Sequence, residues 1–324
     1  MEKRCWLKNK NYTTIAIVVL LLLLLPALLF ASPPNFEQAK IEARQSVYHD
    51  RNQVGTLYCG CTWEWVGRSG GRVDLASCGY QVRAQEVRAA RTEWEHILPA
   101  SSFGRLRQCW QDGGRSNCKR VDPVFNMMEA DLYNLTPAIG EVNADRSNFN
   151  FGVLPTTAYQ HGACDFKVDF KGRTAEPRDA VKGQIARVYF YMHDRYNLPM
   201  ARQQQQLLMA WDRQFPVTAW EAERNRRIAR IMGHGNPFVT GERRWSLGHR
   251  NTGDGVVSAL PATHPARESI RPSDQPIIGN RNSNVYHLPH GCPSYSRVAP
   301  HNQVKFQSEA EAQTAGFRKA GNCR

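Results

Sequence analysis

The chain has 324 residues, of which 41% are hydrophobic. That excludes a minimal disulfide scaffold and a wholly disordered chain, and leaves room for one large domain or two smaller ones. The 42 Lys and Arg against 29 Asp and Glu give a formal charge of +13, which calls for a polyanionic partner: nucleic acid, an acidic membrane surface or an acidic polysaccharide.

Lys3, Arg4, Lys8 and Lys10 precede an apolar run from Ile15 to Ala31 that only Pro26 interrupts, and the small residues Ala31 and Ser32 follow. This is the pattern of an export signal cleaved near Ala31. Leu29 is a mediocre residue three before the cut, so an uncleaved membrane anchor is the alternative. Removing residues 1–31 takes four basic residues and Glu2, and the remainder stays strongly basic. Export also decides how the cysteines read. Cys5 leaves with the signal, and the other eight, Cys59, Cys61, Cys78, Cys109, Cys118, Cys164, Cys292 and Cys323, are an even set for an oxidising compartment.

Beyond the signal, "NFEQAKIEARQSVYHD" spaces Phe36, Ala39 or Lys40, Ala43 and Val47 as one face of a capped helix. "GTLYCGCTWEWVGRSGGRVDLASCGY" carries β-formers around a Ser-Gly-Gly turn and predicts a hairpin tied by cysteines. In "RTEWEHILPAS" an acid and an imidazole, Glu95 and His96, are neighbours on a predicted strand and point to opposite faces. A plain strand of this pattern buries Trp94 and leaves both to solvent; a catalytic one aims both into a site. "DPVFNMMEADLYNL" opens a helix with Asp122 as cap and Pro123 at its first position, and "TPAIGEVNADRSN" repeats the device with Thr136 and Pro137. Two more helices run through "AVKGQIARVYFYMHDRY" and "TAWEAERNRRIARIM", the second with the capping box Thr218–Glu221 and a stop at Gly233. From 241 to 275 Gly, Pro, Ser, Thr, Arg and His dominate with no apolar period, which reads as a linker. Residues 276–324 regain order as short strands and a helix capped by Ser308.

The strings "EWEHILPASSFG", "RQCWQDGGRSNC", "DLYNLTPAIGEVNADRSNFNF", "KGQIARVYFYM" and "QLLMAWDRQFPVTAWE" resemble, in order, the bacterial endonuclease I family of periplasmic and secreted non-specific nucleases. The resemblance covers about 35–240 and implies an α+β fold with a ββα-metal core. It implies Glu95 and Asn143 as ligands of a Mg²⁺-type ion (Mn²⁺ or Ca²⁺ being alternatives), His96 as general base and Arg115 as the clamp on the cleaved phosphate. The residue types suit the chemistry: a neutral imidazole takes the proton of water, oxygen ligands hold a hard cation, and a guanidinium fork meets phosphate. Asn134 and Asn148 lie close enough in sequence to compete with Asn143. The resemblance further implies a monomer, DNA as the substrate held through the backbone with RNA as an open alternative, 5′-phosphate products, and a periplasmic or secreted location, with a membrane partner only if the anchor is kept.

One departure stands out. The family's usual cysteines beside "PVTAWE" and after "GNP" are replaced here by Ala222 and the run Phe238-Val239-Thr240. The pairs that remain are Cys109–Cys118, Cys61–Cys78 and Cys59–Cys164. Residues 276–324 resemble the zinc-binding module of the DNA-repair methyltransferase Ada, but one ligand of each cysteine pair is missing, at Ser296 and Ala320. A Cys292–Cys323 disulfide is therefore expected and zinc is not, the competing reading being an ion completed by His287 or His290. A catalytically silent protein that captures nucleic acid is the rival function. A metalloprotease is disfavoured because "WEHILP" lacks an HExxH helix.

Overall fold

The computed structural model describes residues 32–258 and 276–323, which form two compact units. The expected signal or anchor, and 259–275 of the expected linker, lie outside these residues. Among the described residues no helix is long and apolar enough to cross a membrane.

In the larger unit α1 (Phe36–Glu42) starts at Asn35, whose side chain accepts from Gln38 N, and runs on as a π-helical turn to Val47. Ala39, Ala43 and Val47 are its buried face. Strands β1 (Trp63–Val66) and β2 (Gly70–Val73) form the antiparallel hairpin. After α2 (Glu86–Ala89), β3 (Thr92–His96) pairs antiparallel with β4 (Leu135–Ile139), with Glu95 opposite Thr136 and His96 opposite Leu135. Between them lie α3 (Ala100–Gly104), α4 (Gln108–Val121) and α5 (Pro123–Glu129). Asp122 caps α5 by accepting from Phe125 N, with Pro123 at the first position.

The Thr136–Pro137 expectation is corrected. Residues 135–139 are strand, and the helix α6 (Gly140–Arg146) begins only at Gly140. A Thr-Pro pair supplies a helix start locally, but pairing with β3 is worth more here. Pro137 donates nothing to the ladder and is tolerated because β4 has no second partner strand among the described residues. Gly140 is required by a close approach, since a Cβ there would lie 2.5 Å from the carbonyl oxygen of Arg88. Strand β3, strand β4 and helix α6 thus make the ββα unit.

Strands β5 (Asn150–Phe151), β6 (Lys167–Asp169) and β7 (Thr174–Glu176) form a second small sheet, ordered β5-β7-β6. Helix α7 (Asp179–Arg195) is buried along nearly its whole length and packs against α8 (Arg202–Gln214). Helix α9 (Ala219–Met232) is capped by Thr218 and ends at Gly233 in the left-handed conformation. Short helices α10 (Pro237–Thr240) and α11 (Asp254–Ser258) follow.

The segment from 241 to 256, expected as linker, is instead strapped to α7. Trp245 is buried and stacks on Phe190 at 5.0 Å and on His249 at 4.3 Å. The buried Asp194 carboxylate takes Arg243 at 2.6 Å, His249 at 2.8 Å and the amide of Thr252 at 3.0 Å. Its stability comes from a buried acid satisfied three times, which composition does not announce.

Disulfides join Cys59–Cys164, Cys61–Cys78 and Cys109–Cys118 in this unit. The smaller unit is a four-stranded sheet in the order β10-β8-β9-β11, made of β8 (Ile277–Asn280), β9 (Val285–His287), β10 (Gln303–Phe306) and β11 (Arg318–Lys319). Helix α12 (Glu309–Thr314) is capped by Ser308, and Cys292–Cys323 is bonded.

Candidate active site

The ββα unit lines an open cleft of about 840 Å³ that contains Glu93, Glu95, His96, Arg115 and Asn143. Both members of the acid–imidazole pair are buried, so the solvent-facing reading fails, and Trp94, just before them on β3, is only half-buried.

His96 donates from Nε2 to the backbone carbonyl of Glu129 at 2.8 Å, because a carbonyl can only accept. The lone pair therefore sits on Nδ1. Burial first, and then the charge of Arg115, lower its pKa to about 3, so the imidazole is neutral at pH 7. The ring packs against Phe36, with centroids 4.7 Å apart.

Glu95 is bound through Oε1 to the hydroxyl of Tyr58 at 2.8 Å and to Arg146 at 3.2 Å. Burial raises its pKa, against the opposing pull of the Arg146 charge. Arg146 is itself buried and donates to the carbonyls of His96 and Ile97, so it fixes the end of β3 as well as its acid. Among the described residues, the polar contacts of the Glu95 carboxylate fall on Oε1.

Asn143 sits on the first two turns of α6 and donates from Nδ2 to Glu93 Oε2 at 3.1 Å. A carboxylate facing the amide can only accept, which turns Asn143 Oδ1 away from Glu93. Glu93 is also paired with Arg88 and Arg91, which hold its carboxyl below the usual range against the effect of burial. The two competitors differ. Asn134 spends both amide atoms on Leu98, accepting from N at 2.7 Å and donating to O at 2.9 Å. Asn148 accepts from Arg173 at 2.6 Å and donates to Ser101.

Arg115 follows a break in α4 at Gly113–Gly114, where Gly114 has φ +66°, and the Cys109–Cys118 disulfide spans that break. Its Nε donates to the carboxylate of Glu129 at 2.6 Å. Sequence reasoning missed Glu129, Arg146, Glu93 and Phe36. Only Glu93, two residues from Glu95 and so on the same strand face, had a signal that could have found it.

Behind α6, Glu141 accepts from the amides of Arg83, Ala84 and Gln85, and Asp145 pairs with Arg83. These anchors fix the helix that carries Asn143. In chemical terms the cleft offers a neutral base, oxygen ligands for a hard cation and a guanidinium within one cavity.

Residues 35–242 match the family model for Endonuclease I, and residues 257–319 match that for ArfC. The chain is 52% identical over 185 residues to an extracellular deoxyribonuclease of Aeromonas hydrophila, covering 57% of this chain and 81% of the relative. It is 50% identical over 190 residues to a periplasmic deoxyribonuclease of the same species, covering 58% and 79%. To the Endonuclease-1 of Buchnera aphidicola it is 44% identical over 205 residues, covering 63% and 80%.

Proposed function

On the premise that this chain belongs to the endonuclease I family and is an endonuclease, we propose that it is exported, depends on a divalent cation and cleaves DNA without reading sequence. RNA is a second substrate, since backbone contacts do not need a base edge. The observation that carries the reading is the convergence of His96, Asn143, Glu95 and Arg115 on one cleft. Relatives named as extracellular or periplasmic, together with four disulfides, support the location.

The residues fit a Mg²⁺-type ion, with Mn²⁺ or Ca²⁺ as alternatives. Asn143 Oδ1 and the Glu95 carboxylate are hard oxygen donors, and Glu95 is already held rigid by Tyr58 and Arg146. When bound, such an ion supplies positive charge to the phosphate oxygens. His96 takes the proton of the attacking water on Nδ1, and the Glu129 carbonyl holds the opposite nitrogen still while it does so. Arg115, exposed on its outer side, meets the charge that grows on the phosphate. Products carrying 5′-phosphates follow from the family.

Incubating the purified chain with plasmid, with and without chelator, tests this reading. Nicking and linearisation that stop with chelator support it. Binding without cleavage at any metal concentration would select the silent capture protein instead.

A further inference from the structure

Resting on the assignment of His96 as base, we propose that Phe36 is a positioning residue for the reaction: its ring fixes the rotation of the His96 imidazole and spaces it from the Arg115 guanidinium. Among the described residues the His96 imidazole has one hydrogen bond, Nε2 to the carbonyl of Glu129, and one such bond does not by itself fix the rotation of the ring. A second contact is needed, and Phe36 supplies it at 4.7 Å between centroids with a 40° tilt. Tilted aromatic pairs at this range have a preferred geometry. The same ring carries the Arg115 guanidinium at 5.6 Å and the ammonium of Lys119 at 5.5 Å from its centroid. Cations are held over an aromatic face by its quadrupole, so one side chain touches both groups that the chemistry uses.

The placement of Phe36 argues against ordinary core packing. It is half-buried, lines the cleft and lies at the first position of α1. The helix is anchored without it, through the Asn35 cap and the buried Ala39, Ala43 and Val47. The first turn of α1 is thus held rigidly enough to act as a stop for the imidazole. Sub-ångström placement of a base matters, since a shift of about 1 Å can cost on the order of 10²-fold in rate.

The test is kinetic, on the full chain with a short duplex. Phe36→Ala should lower kcat by about tenfold to a hundredfold and leave KM within about twofold, because the phosphate contacts remain. Phe36→Tyr, which keeps the ring, should restore most of the turnover. Phe36→Leu keeps the bulk but not the ring, and should stay close to Phe36→Ala with an unchanged melting temperature. Combined with His96→Ala, Phe36→Ala should add less than about a twofold loss, as expected for a residue that works through the imidazole. Full activity of Phe36→Leu, or an undiminished Phe36→Ala penalty in the His96→Ala background, overturns the proposal. Turnover of His96→Ala near wild type would sink the general-base assignment separately. Phe36 would then be decided by its coupling to Arg115→Ala, additivity there ending the proposal.

Discussion

The backbone carbonyl of Glu129 accepts from His96 Nε2 at 2.8 Å, while the carboxylate of the same residue accepts from Arg115 Nε at 2.6 Å. One residue at the end of α5 therefore sets the tautomer of the base and the resting place of the guanidinium. Glu129 is fully buried, and its second carboxylate oxygen has no hydrogen-bond partner among the described residues. An incompletely satisfied buried acid is costly to the fold and is more simply understood as serving the site.

Glu129→Gln separates the two roles, since it keeps the backbone bond to His96 and removes the charge. Turnover should fall by about tenfold as Arg115 loses its orienting partner. DNA binding at low salt should tighten, because a negative charge has gone from beside the phosphate path. Weaker binding with turnover retained would show that the carboxylate does not park Arg115.

His96→Ala should abolish most cleavage and leave binding nearly intact, since the imidazole prepares water and does not hold substrate. General-base catalysis typically contributes about 10²–10⁴-fold. Activity within about tenfold of wild type would remove His96 from the role.

The three asparagines predict different phenotypes. Asn143→Ala should raise the Mg²⁺ needed for half-maximal rate with little change in melting temperature, because among the described residues its side-chain amide bonds only to Glu93 at the cleft. Asn134→Ala removes two buried bonds to Leu98 and should destabilise by about 1–3 kcal/mol. If Asn134→Ala or Asn148→Ala shifts the metal requirement while Asn143→Ala does not, the ligand has been assigned to the wrong residue.

What could be read locally was read well, and what failed was settled at a distance. Asp122–Pro123 and Thr218–Glu221 are caps because the residues that satisfy the helix start lie within one turn. Thr136–Pro137 carries the same local signal and is a strand, since its register against Trp94 and Glu95 decides the matter from more than forty residues away. Arg146 and Glu129 were invisible for a related reason. In a chain with 42 basic residues nothing marks the one Arg that is buried against Glu95.

The strap makes the point of truncation matter. Ending the chain at Glu242 would remove Trp245 from its stack on Phe190 and leave the buried Asp194 without Arg243, His249 and Thr252. Burying a large aromatic is worth about 2–3 kcal/mol, so the melting temperature should drop by roughly 5 °C or more. Ending after Ser258 keeps the strap, and turnover on short oligonucleotides should match the full chain. Equal stability of the two truncations would mean that the strap contributes nothing.

The last prediction concerns the smaller unit. His287, Cys292 and Cys323 bring their ligand atoms within 4.8 Å of one another, and the two sulfurs are bonded. An imidazole alone is a poor site for zinc, which takes four ligands in structural sites. Alkylation followed by peptide mapping, without reductant, should therefore leave Cys292 and Cys323 unmodified, and the purified chain should carry no stoichiometric zinc. The compartment favours this outcome, since exported thiols meet oxidants. His287→Ala should then change neither result, because its buried Nδ1 has no hydrogen-bond partner among the described residues to lose. Zinc at one per chain, lost together with the fold of this unit on chelation, would mean that the two cysteines are thiolates holding an ion.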